Sequence, residues 1–419
     1  MVRLFFLGYF ICLATGWALL QLPICQQGLV TNLDTFFAAA SAVSTTGLQT
    51  VDIGKSFSLM GQSVLLLLIQ LGGVLYMAFS SWIVSTQGQR IIALPKDSPS
   101  LPGHFTLAEL FVQIARFTLV CETGGAIALY LFFKNAGVEN AAWNGIFHSI
   151  SAFCTAGFSL FPSNLEGYTN HLGINMVLSL LSILGALGFF LWSDLLKTPS
   201  LREKGIRFFA RVFSCFTTSV VVTCSFLFIL LTTTTESSKF EKLLVSFFHT
   251  ISAMTTAGFN TVDMRTLPQS ALLLLILLML VGASITGSGM NTKRTALPII
   301  FKEMKNCLSG RETLRLRSQK LLAKRVQIAT VTFASYFLVL SIPFWILIII
   351  ERQPILSLFF EAVSAVCTTG LSAGITAQLS SLGKGLIILL MLTGRTGILL
   401  FGFAISTRKF SRKKAERLT

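Results

Sequence analysis

The sequence predicts an all-α integral membrane protein. It reads as four repeats of spanning helix, pore helix and spanning helix around one pseudo-four-fold pore, giving eight transmembrane helices and four re-entrant pore helices. Three observations predict this: hydropathy, a short motif that recurs, and charge confined to alternate connections. Hydrophobic residues make up 53% of the 419 and charged residues 12%, with a mean hydropathy of +0.74. A water-soluble domain carries about a quarter of its residues charged. The apolar residues here form runs of roughly 20, enough to cross about 30 Å of hydrocarbon as helices.

The motif defines the repeats. Phe36 to Leu48 reads FFAAASAVSTTGL, Ile146 to Phe158 IFHSISAFCTAGF, Phe247 to Phe259 FFHTISAMTTAGF, and Phe359 to Leu371 FFEAVSAVCTTGL. Each has a Phe, then Ser-Ala four and five positions later, a Thr, a Gly and a large apolar residue. The glycines, Gly47, Gly157, Gly258 and Gly370, are spaced by roughly a hundred residues, the sign of an internal repeat.

The elements follow in order. The first long span of each repeat is expected at about 4–25, 106–133, 209–232 and 326–350. A stretch of about ten residues ending at Ser-Ala is too short to span and reads as a re-entrant helix. After the Thr/Gly loop, second spans are expected at about 57–85, 174–195, 269–301 and 384–406. The repeats then occupy 1–86, 105–196, 207–302 and 321–407, with a basic tail at 408–419. The opening apolar run, Leu4 to Leu20, resembles a signal peptide but is needed as the first span.

Charge orients this plan. The net charge is +16, and its cations cluster in Lys197 to Arg211, Lys302 to Arg325 and Arg408 to Arg417, each just past a second span. The positive-inside rule places these loops and both termini in the cytoplasm. Such loops meet anionic lipid rather than nucleic acid. The cysteines are scattered without a C-x-x-C pair, so neither a disulfide framework nor a metal site is expected.

The loop itself carries the chemistry. Non-helical backbone at membrane depth is tolerated only where protein buries it or it lines water. Rings of backbone carbonyls can replace a cation's hydration shell. Small residues let four strands approach, and glycine allows positive φ without a steric penalty. The expected filter is Ser44, Thr45, Thr46 and Gly47; Cys154, Thr155, Ala156 and Gly157; Thr255, Thr256, Ala257 and Gly258; and Cys367, Thr368, Thr369 and Gly370. Each pore helix points its partly negative C-terminal end at the cavity, which favours cations. An enzyme would need convergent acids, bases or a nucleophile–base pair in mid-membrane, and the sequence offers no such cluster.

These loops and their repeated helix pattern resemble the Trk/Ktr/HKT superfamily of potassium transporters over essentially the whole chain. The length of eight helices looks most like the Ktr-type membrane (pore) subunit. The resemblance implies uptake of K+ across a bacterial cytoplasmic membrane, driven by membrane potential, with sodium coupling open. In that family the loop glycine marks potassium selectivity, and serine in the first repeat accompanies sodium transport in some plant members. A sodium or other cation transporter of the same fold is the alternative. The resemblance also implies a homodimer and a cytosolic nucleotide-binding regulatory subunit on the basic face. The chain has no nucleotide-binding fingerprint of its own.

Some features occur once. The second span of the third repeat is interrupted by GASITGSGMNTKR, Gly282 to Arg294. Broken helices near the midplane are a transporter device, and packing of small residues is the plainer reading. The resemblance makes this segment a gate beneath the filter, built on Gly282, Ser284, Gly287, Ser288 and Gly289. Arg395 lies amid the apolar last span, where a charge is costly unless it faces a polar interior. It is expected below the filter, hydrogen-bonded to carbonyls freed between Gly282 and Gly289. Gly72, Gly73, Gly185 and Gly188 are read as sites of close helix packing. His148 and His249 occupy equivalent pore-helix positions and are expected to bond nearby backbone. Asp52 and Asp263 could concentrate cations at an outer mouth or cap the next element.

Overall fold

The computed structural model describes residues 2–91, 107–187, 221–230, 238–282 and 319–396. These residues are helical, without a β-strand; the one β-bridge among them joins Gln26 and Phe57. Each unit has a first outer helix, a short helix and a second outer helix. In the first unit these are Val2–Leu20, Asn32–Val43 and Leu59–Ile91; in the second, Leu107–Asn135, Ala141–Phe153 and Leu172–Leu187. The third has Val221–Leu230, Lys239–Thr255 and Gln269–Val281; the fourth has Gln319–Ile350, Ile355–Val366 and Ser381–Thr396.

Local sequence explains how the short helices start. Thr31 caps the first by accepting the Asp34 N–H, and Ser238 caps the third by accepting that of Glu241. Pro354, which has no N–H to leave unpaired, precedes the fourth. All four run past the Ser-Ala pair, and the third is 17 residues long, beyond the expected ten.

Two described helices, within Leu59–Ala78 and Phe111–Asn135, are long and apolar enough to cross a membrane. Several others are apolar but shorter, among them Gln269–Val281. Large apolar side chains such as Val120, Trp345 and Ile349 stay exposed.

Packing links the units in a cycle. Each second outer helix lies against the short helix of the following unit, and the fourth closes onto the first. Between them sits a core of buried phenylalanines, including Phe37, Phe147, Phe259 and Phe360. Lys384 of the fourth unit reaches Asp34 of the first at 2.8 Å, and both side chains are largely buried.

Three second outer helices approach their own short helix at a glycine. A Cβ on Gly72, Gly185 or Gly394 would strike the carbonyl of Val43, Phe153 or Val366 respectively. The close-packing reading therefore holds for Gly72 and Gly185, and for Gly73, which abuts the Cys154 side chain. Gly188 lies outside the described residues. In the third unit the corresponding glycine is Gly282, at the helix end with φ +45°, where a Cβ would meet Met279 O of its own helix at 3.4 Å rather than strike a carbonyl of the short helix.

Candidate ion-binding site

The motif residues build the same helix ending four times. Thr45, Thr155, Thr256 and Thr368 all have positive φ, between 47° and 57°. The N–H of each bonds back to the alanine of the Ser-Ala pair, at 3.0, 3.1, 3.4 and 3.1 Å respectively. The next N–H, of Thr46, Ala156, Ala257 and Thr369, bonds the serine carbonyl at 2.8–2.9 Å. This pair of bonds is the Schellman ending, in which the left-handed residue is usually glycine. A β-branched residue there is a genuine outlier. Such strain persists only where the surroundings over-determine it, and it gathers at functional sites.

The serine side chains complete the clasp in two ways. Ser41 and Ser364 accept the N–H of Gly47 and Gly370, each at 3.0 Å. Ser151 and Ser252 instead donate to the carbonyls of Phe158 and Phe259, at 2.8 and 2.7 Å. Thus Ser-Ala, Thr and Gly recur together because one turn needs all of them.

The four loops meet in a closed ring. A Cβ on Gly47 would overlap the carbonyl oxygen of Ala156, and one on Gly157 would lie 2.6 Å from that of Ala257. Continuing, Gly258 faces the carbonyl of Thr369, and Gly370 faces that of Thr46. The next glycine's Cα would be only 3.0–3.1 Å from each added atom. Glycine is needed twice over, for φ values of 68° to 94° and for this approach.

All sixteen expected filter residues are buried in these loops. Several side chains are engaged locally. The Ser44 and Thr46 hydroxyls lie 2.7 Å apart, Thr255 donates to Ile251 O, and the Cys154 thiol donates to Gln70 Oε1. The Oγ1 atoms of Thr45, Thr256 and Thr369 are buried with no hydrogen-bond partner among the described residues. All four short helices end at these loops, and a helix C-terminus carries a partial negative charge that favours cations.

Arg395 is 2% exposed. It donates to the carbonyl of Gly72 at 2.9 Å and lies over the Tyr76 ring, 4.5 Å from its centroid. Gly72 rests on the last residue of the first short helix, so Arg395 sits at the level of the helix ends. The bond thus reaches the second outer helix of the first unit; the expected carbonyl partners after Gly282 lie outside the described residues. Of the expected gate residues, Gly282 is described; Ser284, Gly287, Ser288 and Gly289 lie outside the described residues.

The histidines are satisfied. His148 bonds Asn144 O at 2.8 Å and the Ser159 hydroxyl at 2.9 Å; His249 bonds Val245 O at 2.8 Å and accepts the Thr261 N–H. No cluster of three metal-ligating side chains occurs among the described residues. Asp52 and Asp263 both cap the next turn, accepting the N–H of Lys55 and Arg265. Arg265 also holds the Asp263 carboxyl below the usual carboxylate range through direct hydrogen bonds.

Sequence reasoning missed Glu122. It is buried, accepts from Gln70 Nε2 at 2.9 Å, and lies 3.8 Å from the Cys154 thiol. A lone acid in an apolar span was the available signal.

Comparison with known proteins places the whole chain. The TrkH family, described as a cation transport protein, matches residues 19–409. The Ktr system potassium uptake protein B of Bacillus subtilis is 30% identical, over 96% of this chain and 92% of that protein. Its Vibrio alginolyticus counterpart is 32% identical, over 96% and 91%. The potassium/sodium uptake protein NtpJ of Enterococcus hirae is 30% identical, over 96% and 92%. The crystal structure of the potassium transporter TrkH from Vibrio parahaemolyticus superposes with a TM-score of 0.71 at 20% identity, covering 93% of this chain and 82% of that one.

Proposed function

Since this chain belongs to the TrkH family of cation transport proteins, we propose that it takes up potassium through a pore on the axis of its four loops. The family is one of transporters rather than enzymes, and its members are membrane proteins. The observation that carries the proposal is the closed ring in which every glycine faces the next loop's carbonyl. The similarity to Ktr potassium uptake proteins supports K+ as the ion.

In this reading the four units are pore repeats, at 1–86, 105–196, 207–302 and 321–407, in a bacterial cytoplasmic membrane with both termini and the basic tail 408–419 inside. The filter is formed by residues 44–47, 154–157, 255–258 and 367–370. Carbonyls at the ring replace water around the ion. Membrane potential drives entry, supplying about 2.3 kcal/mol per charge per 100 mV. The gate is the segment containing Gly282, Ser284, Gly287, Ser288 and Gly289, with Arg395 adding a fixed positive charge below the filter. The basic inner loops touch lipid and receive a cytosolic nucleotide-binding subunit, with the membrane subunit paired as a homodimer.

Rubidium uptake in cells lacking their own potassium uptake tests the function. The protein should restore it, and Gly47→Ser should lower both the uptake and its preference over sodium, because any side chain there pushes on Ala156. Absence of rubidium flux from the unaltered protein would falsify the proposal. A second reading, joint potassium and sodium uptake, is favoured by the similarity to NtpJ; flux that requires sodium would support it.

A further inference from the structure

Behind the ring, the short helices carry one position with an unusual set of residues: Ala38, His148, His249 and Glu361, each nine residues before its loop glycine. His148, His249 and Glu361 are all fully buried. In three units this side chain reaches across to the segment that leaves the filter. His148 Nε2 bonds the Ser159 hydroxyl, two residues past Gly157. His249 Nε2 accepts the N–H of Thr261, three residues past Gly258.

Glu361 makes the most extensive version. One carboxyl oxygen accepts from the Ser372 hydroxyl and, at 3.1 Å, from the Ala373 N–H; the other accepts from the Thr376 hydroxyl at 2.9 Å. Those donors begin two residues past Gly370 and end six past it. In the first unit the same position is Ala38, which cannot hydrogen-bond through its side chain. Its acid, Asp34, lies one turn earlier and pairs with Lys384.

Carrying a polar or acidic side chain in full burial is costly unless its partners repay it. Here each of the three side chains has a partner in the segment continuous with the loop: Ser159, Thr261, or Ser372, Ala373 and Thr376. The strand leaving Gly370 is therefore held from behind at its outer end, as the Schellman ending holds it at its inner end. A ring of carbonyls selects by the number and spacing of its oxygens, so whatever fixes the strand fixes the discrimination.

We propose that Glu361 is a positioning residue that sets ion selectivity, with His148 and His249 as its weaker counterparts. This rests on the reading of the loops as a potassium filter. Glu361 does not touch the ion. It sets where the carbonyls near Gly370 stand, and so how well a sodium-sized ion is rejected. Removal should widen tolerance for sodium more than it slows rubidium.

Uptake of rubidium and of sodium, each normalised to the protein present in the membrane, tests this. Glu361→Ala should lower the rubidium-to-sodium ratio about tenfold, equivalent to about 1.4 kcal/mol of discrimination. Glu361→Gln, which keeps an acceptor for Ser372 and Ala373, should recover most of that ratio. An unchanged ratio in Glu361→Ala at normal abundance overturns the inference, whereas absence of flux from the unaltered protein overturns the filter reading instead. Should Glu361→Ala fail to reach the membrane, Ser372→Ala combined with Thr376→Val decides. These remove donors outside the short helix. A lowered ratio supports the inference, and an unchanged one overturns it.

Discussion

At the scale of single residues, the recurring motif is a set of hydrogen-bonding duties. The sequence made the glycine and its neighbours legible as one repeated loop, because four copies at regular spacing exceed what a capping turn needs. It did not reveal that the threonine two places earlier takes positive φ, since β-branched residues avoid that region unless tertiary contacts impose it. Nor did it separate the two uses of the motif serine. Ser41 accepts the buried Gly47 N–H, so Ser41→Ala should strand that donor, costing about 1–3 kcal/mol. Ser252 donates to a carbonyl, which has a second lone pair and tolerates loss better. The melting temperature of the purified protein in detergent should therefore fall further for Ser41→Ala than for Ser252→Ala. Equal falls would contradict the clasp.

At the scale of elements, the second outer helices diverge at one position. Gly72, Gly185 and Gly394 pack on the end of their short helices, while Gly282 ends its helix. That end coincides with the start of the polar, small-residue run in the sequence, the rest of which lies outside the described residues. The place of Arg395 was visible as a charge in an apolar span, but its partner was not. That partner depends on which helix the fourth unit meets, and the sequence within one span does not encode this. Arg395 follows the packing glycine, and its guanidinium reaches the Gly72 carbonyl of the first unit. Under the proposed reading it opposes cations just below the filter. Arg395→Gln should keep a donor to Gly72 while removing the charge, and raise rubidium uptake severalfold at equal abundance. An unchanged rate would sink the role in gating.

At the scale of the whole molecule, the proposed function rests on closure. Four similar units each pack a second outer helix against the next unit's short helix, and the last meets the first. The repeats were legible in the sequence; the cyclic order was not, because it is set by contacts between residues as far apart as Thr46 and Gly370. The four loops repeat in the ring, and the units depart from one another around it: an ended helix in the third, a buried arginine and a buried glutamate in the fourth. The central claim is that an ion sits on the axis of that ring. The most direct test is to locate rubidium by its anomalous scattering in crystals of the protein grown in rubidium. A peak equidistant from the carbonyl oxygens of Thr46, Ala156, Ala257 and Thr369 is the result expected. Rubidium bound elsewhere, with no peak on that axis, would contradict the account.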